Sequence, residues 1–212
     1  MELNLNKLRS ISAYGMAKLR ATYMYVLLGI VLAAIGAGIG LTMYKEITGL
    51  VFFLLVALEF GVLFWFIFKK SILSYNVFTF LTGLTLAPLL GHLIISGQTS
   101  VIFQALLGTG IVVGGLTAYT LTTKNDFMKY STIMFWILLA LVIVSFINIL
   151  IGSSLLALVI SWISIVVFSI YIIIDTQQVL CTDIEPLDAA MNLYLDILNI
   201  FVSLLNILSN RD

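Results

Sequence analysis

Seven apolar runs dominate the sequence, each about 20 residues long, the length that a helix rising ~1.5 Å per residue needs to cross a ~30 Å hydrocarbon core. The runs are continuous and do not alternate, which argues against a β-barrel, and unpaired backbone groups are too costly in lipid for any structure but helix. We therefore predict an all-α polytopic membrane protein with seven transmembrane helices. The predicted spans lie near residues 22–42, 47–68, 72–95, 100–121, 131–152, 155–175 and 189–208.

The composition excludes several other classes of protein. Hydrophobic residues make up 62% of the 212 residues and charged residues 9%, whereas soluble domains average ~45–50% and ~25%. Ten Lys and Arg balance ten Asp and Glu, so no net charge attracts a nucleic acid. One Cys and one His exclude a disulfide framework and a multi-histidine zinc site. We expect a lipid bilayer as the main partner, no nucleic-acid partner and no bound cofactor.

Lys and Arg are distributed unevenly between the two sides that alternating spans define. Eight lie on the side of the N-terminal tail (Lys7, Arg9, Lys18, Arg20, Lys69, Lys70, Lys124 and Lys129) and two on the other (Lys45 and Arg211). Because short loops rich in Lys and Arg stay in the cytoplasm, we predict a cytoplasmic N-terminus and a C-terminus outside. The predicted organisation is a cytoplasmic tail at 1–21, a seven-helix domain at 22–208 and a C-terminal tail at 209–212. The connection between spans six and seven is anomalous, since it is cytoplasmic in this topology but carries acids and no base.

Three acids lie within the predicted spans: Glu59, Asp175 and Asp196. A charge at mid-bilayer costs at least ~2.5–3.5 kcal/mol, so such residues usually face a bundle interior or water. The topology places all three in the inner half of the membrane, as a ladder entered from the cytoplasm. Two adjacent carboxyl groups in a low-dielectric medium cannot both ionise cheaply, so one holds a proton and the pair becomes a pH sensor. An alternative for Asp175 is an acid at the end of a helix, because it lies at the predicted end of span six.

The seventh span has one continuous polar face, spaced 4, 3, 4, 3 and 4 residues apart: Asn192, Asp196, Asn199, Ser203, Asn206 and Asn210. Span six offers a matching face through Ser161, Ser164, Tyr171 and Asp175. Two interpretations stay open. The face lines a hydrated path, or its side chains hydrogen-bond between packed helices. Both interpretations place the seventh helix inside the bundle.

Two GxxxG patterns permit close approach between helices, one at Gly36–Gly40 and the other at Gly110–Gly114. Matches by chance are expected in a chain with 15 glycines. The pattern alone therefore does not say which of the two is a packing surface.

Four segments resemble the transmembrane Bax-inhibitor-motif family and its bacterial members. They are Phe80–Pro88 in the third span, Ala118–Asp126 after the fourth, and Tyr171–Gln178 and Leu193–Leu205 near the end. The resemblance implies a seven-helix bundle with the last helix at its centre. It also implies a pH-sensitive calcium leak in the bacterial inner membrane, gated by two aspartates that match Asp175 and Asp196. The family's acid in the second helix matches Glu59.

The first hypothesis for function is thus a passive, proton-gated cation leak. Oxygen ligands suit the hard Ca²⁺ ion, so Ca²⁺ is expected to permeate and to bind transiently at Asp175 and Asp196. The residues predicted to line the path or bind cations are Glu59, Asn192, Asn199, Ser203 and Asn206. Bacterial pore proteins of the family often carry Arg after helix two, where this chain has Lys69 and Lys70.

The second hypothesis is a non-catalytic modulator of a membrane-anchored ATP-dependent protease. One bacterial branch of the family resembles such modulators, and Ile200–Leu205 fits that branch. A third hypothesis, an intramembrane aspartyl protease, fits poorly. That chemistry uses Tyr-Asp and Gly-x-Gly-Asp pairs, whereas Tyr171 is four residues before Asp175 and Leu195 precedes Asp196. We therefore do not expect an enzyme.

Overall fold

The computed structural model describes residues 13–210, which form seven long α-helices and one short 3₁₀-helix, with no β-strand among them. Each long helix is long and apolar enough to cross a membrane, which confirms the predicted all-α fold with seven spans. The α-helices are α1 (Ala13–Thr42), α2 (Gly49–Lys69), α3 (Ile72–Ile95), α4 (Thr99–Thr122), α5 (Ser131–Ile151), α6 (Ser154–Cys181) and α7 (Pro186–Ser209). The 3₁₀-helix, Met128–Tyr130, precedes α5.

Two helices extend well beyond the predicted spans. Helix α1 begins at Ala13 rather than near residue 22, and α6 ends at Cys181 rather than near residue 175. Hydropathy marks only the apolar part of a helix, whereas backbone hydrogen bonding continues through polar residues. Three of the basic residues counted in the topology, Lys7, Arg9 and Arg211, lie outside the described residues.

Contacts between Cα atoms divide the chain into two compact units. One unit is Ala21–Thr99, which holds α2, α3 and most of α1. The other consists of the described parts of Met1–Arg20 and Ser100–Asp212, and it holds α5, α6, α7 and nearly all of α4. Each unit is considered by itself below.

In the first unit, glycines bring the backbones of α1 and α3 into direct contact. A Cβ atom added at Gly36 would lie 2.2 Å from the Phe80 carbonyl oxygen, and one added at Gly83 would lie 2.0 Å from the Ala33 carbonyl oxygen. No side chain fits at such distances. The GxxxG pattern that begins at Gly36 is therefore a packing surface.

In the second unit, the other GxxxG pattern makes no such contact. Cβ atoms added at Gly110 and Gly114 would have nothing within 4 Å. The close helix approach that this pattern permits therefore does not occur among residues 13–210. The spacing of two glycines on a helix does not by itself determine whether a neighbouring helix lies over them.

The helices differ greatly in burial. Half of the most apolar stretch of α3 and of α7 is buried (50%), against 11% for α2 and for α5 with its 3₁₀-helix. Large apolar side chains cover the exposed faces, among them Phe53, Phe68, Phe146 and Leu150. Such a surface is incompatible with water but suits lipid tails.

Candidate functional site

Helices α6 and α7 bring Asp175 and Asp196 together in the interior of their unit. The two carboxyl groups are hydrogen-bonding neighbours, and they interact electrostatically. Asp175 is 7% exposed and Asp196 is 5% exposed. Because α6 continues to Cys181, Asp175 lies well inside the helix. The alternative interpretation of Asp175 as a helix-end acid is therefore wrong.

The chemistry of this pair depends on a proton. A hydrogen bond between two carboxyl groups requires one of them to be protonated, because two carboxylates offer only acceptors. The Oδ2 atom of Asp196 is buried and has no hydrogen-bond partner. Buried polar atoms without a partner are uncommon, and such an oxygen is available to accept a proton or to coordinate a cation. Tyr171, one turn before Asp175 on α6, interacts electrostatically with both acids.

Further along α7, the polar face packs against α6. The side-chain amide of Asn206 donates to the Ser161 hydroxyl oxygen at 2.7 Å and to the Ala157 carbonyl oxygen at 3.2 Å. The predicted matching face of α6 thus meets the polar face of α7 at Ser161. At this position the polar side chains hold two helices together, which is the second of the two interpretations left open.

The remaining members of the polar face have different environments. Asn199 donates its amide to the Leu195 carbonyl oxygen of its own helix at 2.7 Å. Ser203 is buried, whereas Asn192 and Asn210 near the two ends of α7 are exposed. The face is polar along its whole length, but only its middle is enclosed by protein.

Glu59 is the acid that lies within a helix of the first unit. It lies on α2, is half-buried, and accepts a hydrogen bond from the Thr85 hydroxyl of α3 at 2.8 Å. Since α2 is otherwise mostly exposed, this carboxylate belongs to the one face that turns toward α3. The predicted ladder of three acids remains a prediction, because Glu59 belongs to one unit and the aspartates to the other.

Two residues of the second unit were missed by reasoning from the sequence. Gln177 is 2% exposed, and both ends of its amide bind backbone atoms of the α4–α5 connection. The sequence feature that could have identified it is its place in the polar end of α6, two residues after Asp175.

Lys18 is the second missed residue. It is 8% exposed, and its Nζ donates to the Thr182 carbonyl oxygen at the C-terminal end of α6. A cation there satisfies a terminal carbonyl and complements the helix dipole. The sequence feature that could have suggested such a partner is the connection between spans six and seven, which has acids but no base of its own.

The aspartate pair does not form a complete metal site. No group of three or more His, Cys, Asp or Glu side chains is close enough to hold a metal ion within the part of the chain that the structure describes. A bound Ca²⁺ takes 6–8 oxygen ligands. Two carboxyl groups alone do not supply that number of ligands.

Comparison with known proteins gives a consistent result. A family model described as "Inhibitor of apoptosis-promoting Bax1" matches residues 16–212. An uncharacterized protein of Helicobacter pylori is 38% identical over 202 residues, covering 91% of this chain and 87% of the relative. An uncharacterized membrane protein of Vibrio cholerae is 36% identical over 198 residues, covering 90% and 87%. The chain belongs to the Bax-inhibitor family of membrane proteins.

Proposed function

We propose that this protein is a non-enzymatic, passive cation leak whose opening depends on pH, with Ca²⁺ as a permeant ion. The observation that carries the proposal is the contact between Asp175 and Asp196, two buried carboxyl groups on adjacent helices. Buried acids in membrane helices commonly mark ion or proton pathways. Here the acids come as a pair, and this makes their contact depend on a proton.

The proposed gate follows from the charge of the pair. With one shared proton, the acids hydrogen-bond and hold α6 against α7. When that proton is lost, two carboxylates repel each other in a medium of low dielectric constant, and they attract hard cations. The stabilisation of the closed contact is thus present at lower pH and lost as pH rises. Flux should therefore increase with pH.

Other polar residues are proposed to line the path or meet the cation. Glu59 in the first unit, and Asn192, Asn199, Ser203 and Asn206 on α7, offer the oxygen atoms that such ions prefer. We also propose the orientation given by the basic residues, with the N-terminus in the cytoplasm of a bacterium and the C-terminus outside the inner membrane. The bacterial relatives named as membrane proteins support this location.

A second candidate is a modulator that binds a membrane-anchored protease without catalysis of its own. One observation favours it over an open path: Asn199 and Asn206 already use their amide donors in hydrogen bonds within the protein. Connections between the described helices are short, so a partner would meet helices or the N-terminal tail. Co-purification of a protease after mild solubilisation would support this candidate.

The experiment that tests the leak is Ca²⁺ flux into dye-loaded liposomes that contain the purified protein, from pH 6 to pH 8. The test variant is Asp175→Asn with Asp196→Asn, which keeps the hydrogen bond between the side chains but removes the ionisable groups. The matched control is Asp183→Asn, an exposed acid in the connection between α6 and α7. We expect flux to rise with pH in the wild type and the control, and to be independent of pH in the double variant. Flux no higher than in empty liposomes at every pH would refute the leak and favour the modulator.

A further inference from the structure

Gln177 binds a segment of the chain that takes no part in the proposed leak. Its Oε1 accepts a hydrogen bond from the Phe127 backbone N–H at 2.8 Å, and its Nε2 donates to the Asn125 carbonyl oxygen at 2.8 Å. A single side chain thereby pairs with the main chain as a neighbouring strand would. These two backbone groups have no helix to satisfy them, so the amide provides what the connection lacks.

The connection that Gln177 binds, residues 123–130, is called the strap below. It has internal order. The Asp126 carboxylate accepts from the Met128 N–H at 2.9 Å, and the Met128–Tyr130 segment is a 3₁₀-helix. The Phe127 ring lies edge-on to Tyr119 and Tyr130, at 6.1 and 6.4 Å between ring centroids. A structured strap resists displacement, so its bonds to Gln177 restrain α6.

The restraint acts directly opposite the aspartate pair. Asp175 and Gln177 are two positions apart, which is a rotation of about 200° around a helix. Asp175 thus faces α7 while Gln177 faces the strap, and Thr176 between them is fully buried at 0% exposure. Rotation of this turn of α6 that separates Asp175 from Asp196 must also pull Gln177 from the strap or carry the strap along.

We propose that Gln177 is a positioning residue, which holds Asp175 against Asp196 by fastening α6 to the strap. The strap then moves together with the gate. A change in the strap alters the aspartate pair, and a change in the pair alters the strap. The contact can be broken and measured whether or not the pair conducts ions; only its role in gating rests on the proposed function.

Several ionisable groups surround the aspartate pair and the contact between Gln177 and the strap. Tyr171 and Asp196 interact with Asp175 from α6 and α7. On the strap, Lys124 and Lys129 are exposed, and Asp126 is half-buried with its carboxylate bound to the Met128 N–H. The amide of Gln177 does not titrate, so the restraint itself is independent of pH.

The first test is amide hydrogen exchange of the strap in the full-length protein in lipid nanodiscs. Gln177→Leu keeps the size of the side chain and removes both hydrogen bonds. We expect exchange of the strap peptide to be faster by about tenfold or more, as for two ordinary hydrogen bonds. The matched control, Gln178→Leu at the adjacent and less buried glutamine, should not change it. Gln177→Glu keeps the acceptor and loses the donor when its carboxyl group is ionised, so an intermediate rate is expected at high pH even if Gln177→Leu fails to fold. Unchanged exchange in both Gln177 variants would overturn the proposal.

The second test asks whether the strap senses the pair. Asp196→Leu removes the partner of Asp175. If α6 couples the strap to the aspartate pair, Asp196→Leu accelerates hydrogen exchange of the strap when Gln177 is present. In the Gln177→Leu variant it then adds little. Additive effects, or no effect of Asp196→Leu on the strap, would overturn the coupling. This readout needs no ion flux, so a protein that does not leak would refute the proposed function without deciding the coupling.

The third test separates positioning from simple stability. In the flux assay, Gln177→Leu should shift the pH at which flux is half-maximal, because Asp175 is no longer held in place. A role in folding alone would lower the amount of active protein and leave that pH unchanged. An unshifted profile together with faster strap exchange would show a structural clamp and overturn the positioning role.

Discussion

Helix α1 is held to α3 by glycines, whereas α6 is held to α7 by polar side chains. At the first contact, backbone meets backbone at Gly36 and Gly83 with no room for a Cβ atom. At the second, Asn206 bonds to Ser161, and Asp175 is paired with Asp196. The glycine contact has one arrangement and is insensitive to protonation. The proposed switch uses the carboxyl contact, because its two charge states would favour different arrangements.

The largest effect is expected from filling the glycine contact. Gly83→Val places side-chain atoms where the Ala33 carbonyl lies and forces the helices apart, which we expect to cost about 3 kcal/mol of stability. Gly110→Val is the matched control, since nothing lies within 4 Å of its added Cβ, and should change stability by less than about 0.5 kcal/mol. Thermal unfolding in detergent, followed by circular dichroism, measures both. Equal losses in the two variants would show that the glycine contact has no special role.

The next effect concerns the pH dependence of stability at the carboxyl contact. If the two acids share a proton as proposed, the α6–α7 contact is more stable at pH 6 than at pH 8. The melting temperature should therefore fall over this range by about 2–4 °C, equivalent to about 1 kcal/mol in a protein of this size. Asp175→Asn with Asp196→Asn should give a nearly flat profile. A wild-type melting temperature that rises with pH would contradict the assigned sign.

A smaller effect is expected at Glu59, the acid that lies within a helix of the first unit. Glu59→Gln keeps an oxygen that can accept from the Thr85 hydroxyl, so the fold should be unaffected. If Glu59 contributes a negative charge to the proposed leak, this variant should reduce cation flux by a few-fold. The shape of the pH–flux curve should stay that of the wild type. Loss of the pH response in this variant would move the sensor away from the aspartate pair.

The smallest effect is expected at Asn206. Replacing it by Ala removes the bonds to Ser161 and Ala157, and hydrogen bonds between membrane helices contribute about 0.6 kcal/mol on average. Asn192→Ala, an exposed position on the same face of α7, serves as the control and should be neutral. Unfolding by denaturing detergent can resolve the two. An Asn206→Ala variant as stable as the wild type would show that these hydrogen bonds are not needed for stability. That result would support a role for the amide in the proposed path.

Much of the fold was predictable because spans follow from length and hydropathy. The pairing of Asp175 with Asp196 was also expected, since both acids were placed at similar depth. What the sequence did not reveal depends on tertiary contacts. The extension of α6 to Cys181 runs through polar residues, and the clamp of Gln177 on the strap joins positions about 50 residues apart. Of two identical GxxxG spacings, only the one at Gly36 lies under another helix, which no local pattern can specify.

The proposed switch requires that Asp175 and Asp196 share a proton that is lost as pH rises. Infrared absorption measures this directly, because a protonated carboxylic acid and a carboxylate absorb at different frequencies. The wild type should lose the band of one protonated carboxyl group between pH 6 and pH 8. Glu59→Gln should behave in the same way, and Asp175→Asn with Asp196→Asn should lack the change. A band that is lost equally in the double variant, or that does not change in the wild type, would contradict a proton shared by Asp175 and Asp196.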